Sequence, residues 1–159
     1  MGVGFRVGNI TTEVGTSEFL HSFFSTISVH LEPAGWGSRF PELLNALYQG
    51  NLPVAHCDKV TSDLQIIRAE LAAIAPDRVV WDIDDPNAEP PWGRNISDGI
   101  TSLANYFVTS GGRDLFDVLL ECLEYQKRKE LDMTIVRTPP RGPHSDVRIE
   151  FGTKNPPDS

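Results

Sequence analysis

Apolar positions recur along the chain in two periods, and the period tells strand from helix. In GVGFRVGNI, Val3, Phe5 and Val7 alternate with Gly4 and Arg6, which predicts a half-buried strand. The period lengthens over GTSEFLHSFFSTISVHLE. There Phe19, Phe23 and Ile27 step by four, with Leu20, Phe24 and Leu31 beside them, so an amphipathic helix is expected. Thr16 or Ser17 is its N-cap, and it ends before Pro33 and the glycines of EPAGWGS. SRFPELLNALYQG predicts a second helix, with Pro41 in the first turn and Gly50 just past the end. The third is the clearest: Val60, Leu64, Ile67, Leu71 and Ile74 are spaced 4, 3, 4, 3, and the pattern stops at Pro76.

RVVWDI then reads as a mostly buried strand, with Trp81 alternating with Val79 and Ile83. DDPNAEPPWGRN is a loop, because its three prolines serve neither a ladder nor a helix interior. SDGITSLANYFV places Ile100, Leu103, Ala104 and Phe107 on one helical face, and TSGGRD breaks that short helix. Leu115, Val118, Leu119 and Leu123 predict a further helix, whose last turn carries Lys127, Arg128 and Lys129 at the negative end of its dipole. LDMTIVR reads as a strand and DVRIEF as a final one, with GTKNPPDS as a frayed tail. The expected fold is α+β, a single domain with a small sheet packed with about five helices. Residues 1–137 form its body. Residues 138–159 add a C-terminal strand and tail packed on or extending it. Phe19, Phe23, Ile27, Leu64, Ile67, Leu71, Val79, Trp81, Phe107, Leu115 and Leu119 are expected to share one core.

Composition narrows the function. A chain of 159 residues that is 40% hydrophobic can bury a sizeable core, and no apolar run approaches the ~18 residues of a membrane helix. MGVGFRVGNITTE lacks the apolar stretch of a secretion signal, so a cytoplasmic protein is expected, and the sequons at Asn9 and Asn95 read as accidental. The net charge of −8 is uneven: residues 1–125 hold 17 acids against 7 bases, and residues 126–159 hold 5 against 7. An acidic body repels nucleic acid and favours basic partners, although acidity also serves solubility alone. Cys57 and Cys122 read as reduced thiols, and the four histidines lack ligand spacing.

The chemistry-bearing candidates are few. An apolar strand ending in Asp-x-Asp resembles the nucleophile motif of haloacid-dehalogenase-type phosphatases, and a small metal-dependent hydrolase using Asp82, Asp84 and Asp85 is the alternative function. Pro86 stands where that motif wants Thr or Val. It also spoils a calcium loop, whose third ligand position it occupies. GVGFRVG lacks the third glycine of a dinucleotide fingerprint, TSGGRDL has no phosphate-binding lysine, and there is no GxSxG. No catalytic residue, metal or cofactor is therefore expected. His21 and His30 fall on or beside the first helix as surface or boundary residues. Trp36 and Trp92 lie on loops, where each either plugs the core edge or anchors an interface.

The stretch VVWDIDD…PPWG, followed by NIS, ITSLANYFVTS and GRDL, resembles the signature of the immunity protein 70 family of bacterial polymorphic toxin systems. VGTSEFLHSFFSTI and LEPAGWGSRFPELLNALYQG agree with it. The resemblance runs from about Gly2 to Thr134, and Gly112 departs from it by doubling a glycine. It implies a non-enzymatic protein that binds and neutralises one cognate toxin domain inside the cell, and it brings no contact residues. Those rest on physics. Asp82, Asp84, Asp85 and Glu89 supply four carboxylates, and Pro90–Pro91 stiffens the approach to Trp92. This loop is the candidate surface for a basic toxin, against the reading of a solvated loop closed by Trp92. The helix face of Asp117, Glu121 and Glu124 is the second candidate.

Overall fold

The computed structural model describes residues 2–93 and 95–138. The chain opens with a hairpin, β1 (Gly2–Val7) and β2 (Ile10–Thr16), and continues into α1 (Ser17–Leu31). A six-residue π-helix (Glu42–Leu47) and the short β3 (Asn51–Leu52) lead to α2 (Cys57–Leu71). After a long irregular stretch come α3 (Leu115–Lys129) and β4 (Met133–Thr138). The sheet is antiparallel in the order β2-β1-β4-β3, so the first and last described strands lie side by side, from Gly2 opposite Thr138 to Val7 opposite Met133.

β2 is a strand that the hydrophobic pattern does not announce, because ITTEVGT buries only Val14. The turn creates it. Val7 pairs with Ile10 across a two-residue loop, and Gly8 takes a φ of +61°, a conformation that favours glycine. Gly4 sits at a register shift between β1 and β2, where an added Cβ would lie 2.5 Å from the Thr12 carbonyl oxygen.

The helices follow the apolar spacing. Thr16 caps α1 by accepting from the Phe19 amide at 3.1 Å, and Asp114 caps α3 by accepting from Phe116 N at 2.8 Å. α1 lays Phe23 into the centre of the core, edge-on to Phe24, Phe107 and Phe116 at 5.5, 5.3 and 5.2 Å. α2 contributes Val60, Leu64, Ile67 and Leu71, and the sheet adds Phe5, Val7 and Met133. α2 and α3 are also tied by Arg68, which pairs with Asp117 at 3.0 Å and lies over the Phe116 ring.

Four expectations change. Among the described residues there are three α-helices and one π-helix, with two three-residue 3-10 turns at Val54–His56 and Pro76–Arg78, where about five helices are expected. Residues 98–107 form turns, because side chains replace the helical hydrogen bonds: Asn105 Oδ1 accepts from the Thr101 and Ser102 amides at 3.0 and 3.2 Å. Leu103 and Phe107 are nevertheless buried. Val79–Ile83 is not a strand. It is an extended strap laid on α1, and it draws its hydrogen bonds from helix hydroxyls. Ser22 Oγ donates to Val80 O at 2.7 Å, Val80 N donates to Thr26 Oγ1 at 3.0 Å, and Ile83 N donates to Ser25 Oγ at 3.1 Å. Val79 and Trp81 are accordingly half-buried against the core, while the other nine residues of the expected core are buried in it. Ile74 lies past the end of α2. The expected strand DVRIEF and the tail lie outside the described residues.

Candidate functional site

The strap carries the acidic loop to the N-terminal end of α1, and a cleft of about 300 Å³ opens where they meet. Its lining is Ser17, Glu18 and His21 from α1, Tyr48 from just beyond the π-helix, and Trp81 and Asp82 from the strap. The neighbouring loop is set by Glu32, a buried carboxylate that accepts from the amides of Gly37, Arg39 and Phe40 at 2.9, 3.1 and 2.9 Å. Trp36, on that loop, donates from Nε1 to Leu44 O at 3.0 Å. It packs edge-on to Tyr48 at 5.0 Å, so it closes the core edge behind the cleft.

His21 is the centre of the arrangement. Its Nδ1 is 2.7 Å from the Tyr48 hydroxyl and its Nε2 is 3.0 Å from Asp82 Oδ1. Asp82 Oδ1 also accepts from the Asp84 amide at 2.9 Å. That amide, with His21 second, holds the Asp82 carboxyl below its ordinary range. Burial, with the charges of Asp84 and Asp82 behind it, pushes the Tyr48 phenol up. Ligand atoms of His21, Asp82 and Asp84 lie within 4.8 Å of one another.

The five candidate residues read from sequence divide. Asp82 and Asp84 join the His21 cluster. Asp85 does not; its Oδ1 accepts from the Asn87 amide at 3.1 Å. Asp84, Asp85 and Glu89 are exposed. Trp92 is 40% exposed; its Nε1 donates to the Tyr106 hydroxyl at 2.8 Å, and its ring meets Trp81 edge-on at 5.5 Å, as a tryptophan closing the core edge would. Sequence reasoning missed His21 and Tyr48. Their signal was weak, a histidine at the edge of an apolar helix face and a tyrosine before Gln49–Gly50. Only the strap brings Asp82 to them.

The second candidate face fares differently. Asp117 is paired with Arg68, and Glu121 is paired with Arg113 in a two-pronged contact. By contrast, no lysine or arginine among the described residues pairs with Asp82, Asp84, Asp85 or Glu89. The cysteines offer no activated nucleophile, since burial pushes both thiols up. No described helix is long and apolar enough to cross a membrane.

Fold and cleft together define a small α+β protein with an acidic, aromatic-walled recess on its surface. The chain belongs to the immunity protein 70 family, whose model matches residues 5–135. That membership makes it an immunity protein, one that acts against a toxin. Comparisons with curated proteins and with solved structures find no match.

Proposed function

We propose that the protein neutralises its cognate toxin in the cytoplasm by non-covalent binding, without catalysis, and that the acidic loop faces the toxin. Asp82, Asp84, Asp85 and Glu89 supply the charge and Trp92 the apolar contact. The observation that carries this reading is the contrast in charge pairing. The carboxylates of the loop have no lysine or arginine partner among the described residues, whereas two of the three acids on the α3 face, Asp117 and Glu121, are each paired with an arginine. An uncompensated acidic face attracts a basic partner and repels nucleic acid. The toxin domain is accordingly expected to be basic at its contact surface. The hydrolase alternative gains nothing, because Asp85, its third residue, stands outside the His21 cluster.

The test uses the toxin encoded beside the gene. Binding is measured by surface plasmon resonance, and protection by co-expression. Asp84→Asn with Asp85→Asn is expected to slow association several-fold while dissociation changes little. A folded double variant that binds and protects as the parent does would move the interface elsewhere.

A further inference from the structure

We propose that His21, Asp82 and Asp84 form a binding site for a divalent transition-metal ion. Sequence reasoning expected no metal, because Pro86 interrupts the motif after Asp84 and the four histidines lack ligand spacing. The fold supplies a third ligand from α1, 61 residues before Asp82. The donor set is one imidazole nitrogen and two carboxylate oxygens, all within 4.8 Å of one another. Calcium and magnesium prefer all-oxygen surroundings, whereas a nitrogen among carboxylates suits zinc, manganese or iron(II).

Three features of the site point the same way. The first is spacing. Two ligand atoms around a tetrahedral zinc ion lie roughly 3.4 Å apart. His21 Nε2 and Asp82 Oδ1 are 3.0 Å apart, so a small side-chain rotation admits an ion between them. The second is orientation. A coordinating imidazole is neutral, and its other nitrogen is held by an outer partner. The Tyr48 hydroxyl lies 2.7 Å from Nδ1 and can accept a proton there once Nε2 takes the ion. The third is charge. Asp82 and Asp84 bring two carboxylates to the site, and no lysine or arginine pairs with either of them among the described residues.

The ion would fasten the acidic loop to α1. On the proposed function, which this consequence rests on, it would therefore fix the shape of the toxin-facing surface. The test needs no toxin, so its outcome is separate from that of the binding reading. The full-length protein, stripped with EDTA, is titrated calorimetrically with zinc and then manganese chloride at pH 7.5. One ion per chain with micromolar or tighter affinity is expected. Cobalt(II) is expected to give visible absorption bands of a mixed nitrogen and oxygen site. His21→Ala and Asp84→Asn are each expected to weaken binding at least tenfold, while Asp77→Asn, at an exposed position outside the cluster, leaves it unchanged. The Asp84 side chain makes no hydrogen bond among the described residues, so that variant keeps the test valid even if His21→Ala misfolds. Affinity of the parent no better than millimolar, or equal affinity in the folded ligand variants, would overturn the proposal.

Discussion

Glu32 gathers three backbone amides into one buried carboxylate just past the end of α1. A loop that turns from α1 to the π-helix would otherwise bury those donors unpaired. Removing the side chain strands them, at about 1–3 kcal/mol for each buried group left without a partner. Glu32→Ala is therefore expected to lose about 3 kcal/mol or more, read as a lower urea midpoint with an unchanged slope. A midpoint within error of the parent would show that water serves the loop equally well. Asp82 makes a different prediction, because its folded pKa is depressed by the Asp84 amide and His21. A depressed carboxyl contributes stability that is present above its unfolded value of ~3.9 and is lost as pH falls through the folded one. Below about pH 4 the parent should therefore lose stability more steeply than Asp82→Asn. Parallel urea midpoints of the two proteins from pH 5 to pH 2.5 would refute this.

Among the elements, α1 shows most clearly what spacing reveals and what it hides. Its phenylalanines and leucines mark a buried stripe, and that stripe is where the core lies. Ser22, Ser25 and Thr26 are also fully buried, although serine and threonine read as polar positions. They are buried because a strap without a neighbouring strand needs partners for its amides and carbonyls, and hydroxyls on a helix can act as both donor and acceptor. VVWDI has the apolar content of a strand, but Val80 and Ile83 spend their amides on α1. No local pattern distinguishes the two outcomes. Thr26→Val keeps the shape and removes the acceptor of Val80 N, so about 1–3 kcal/mol should be lost. The more telling readout is hydrogen exchange. The Val80 amide should lose protection well beyond the global loss of stability, and equal protection in both proteins would mean the strap is held by something else. On α2, Leu64 is fully buried, and Leu64→Ala should cost ~2–5 kcal/mol. An unchanged denaturation midpoint would contradict the packing.

For the molecule as a whole, the distribution of charge matters more than its sum. Of the net −8, the part without a lysine or arginine partner among the described residues includes the strap and its loop, while Arg39, Lys59, Arg68, Arg113 and Lys127 are engaged with acids elsewhere. A capture step steered by such a face is sensitive to ionic strength, since the screening length falls from ~30 Å at 0.01 M to ~8 Å at physiological salt. The association rate with the toxin is expected to fall at least tenfold over that range, with dissociation much less affected. A rate indifferent to salt would remove charge steering from the account. Trp92 bears on the same surface. It is bonded to Tyr106 and packed on Trp81, so Trp92→Ala should both speed dissociation and lower stability by about 1 kcal/mol. Trp92→Phe, which keeps the ring contact, separates the two effects.

The sequence by itself determined the three long helices, the strands β1 and β4, the α+β class, the buried faces and the acidic loop. These are local matters, fixed by apolar periodicity, caps and prolines within a few residues of each other. Its longer ordered motifs also carried the resemblance to the family to which the chain belongs. Tertiary structure decided the rest. It paired β1 with β4 at the far end of the chain, from Gly2 opposite Thr138 to Val7 opposite Met133. It laid Val79–Ile83 on α1 and so brought Asp82 to His21 and Tyr48. Hydrogen-bond partners far apart in sequence are chosen by which surfaces meet. The cleft therefore exists only in the folded chain, although the sequence names two of the three members of its His21–Asp82–Asp84 cluster.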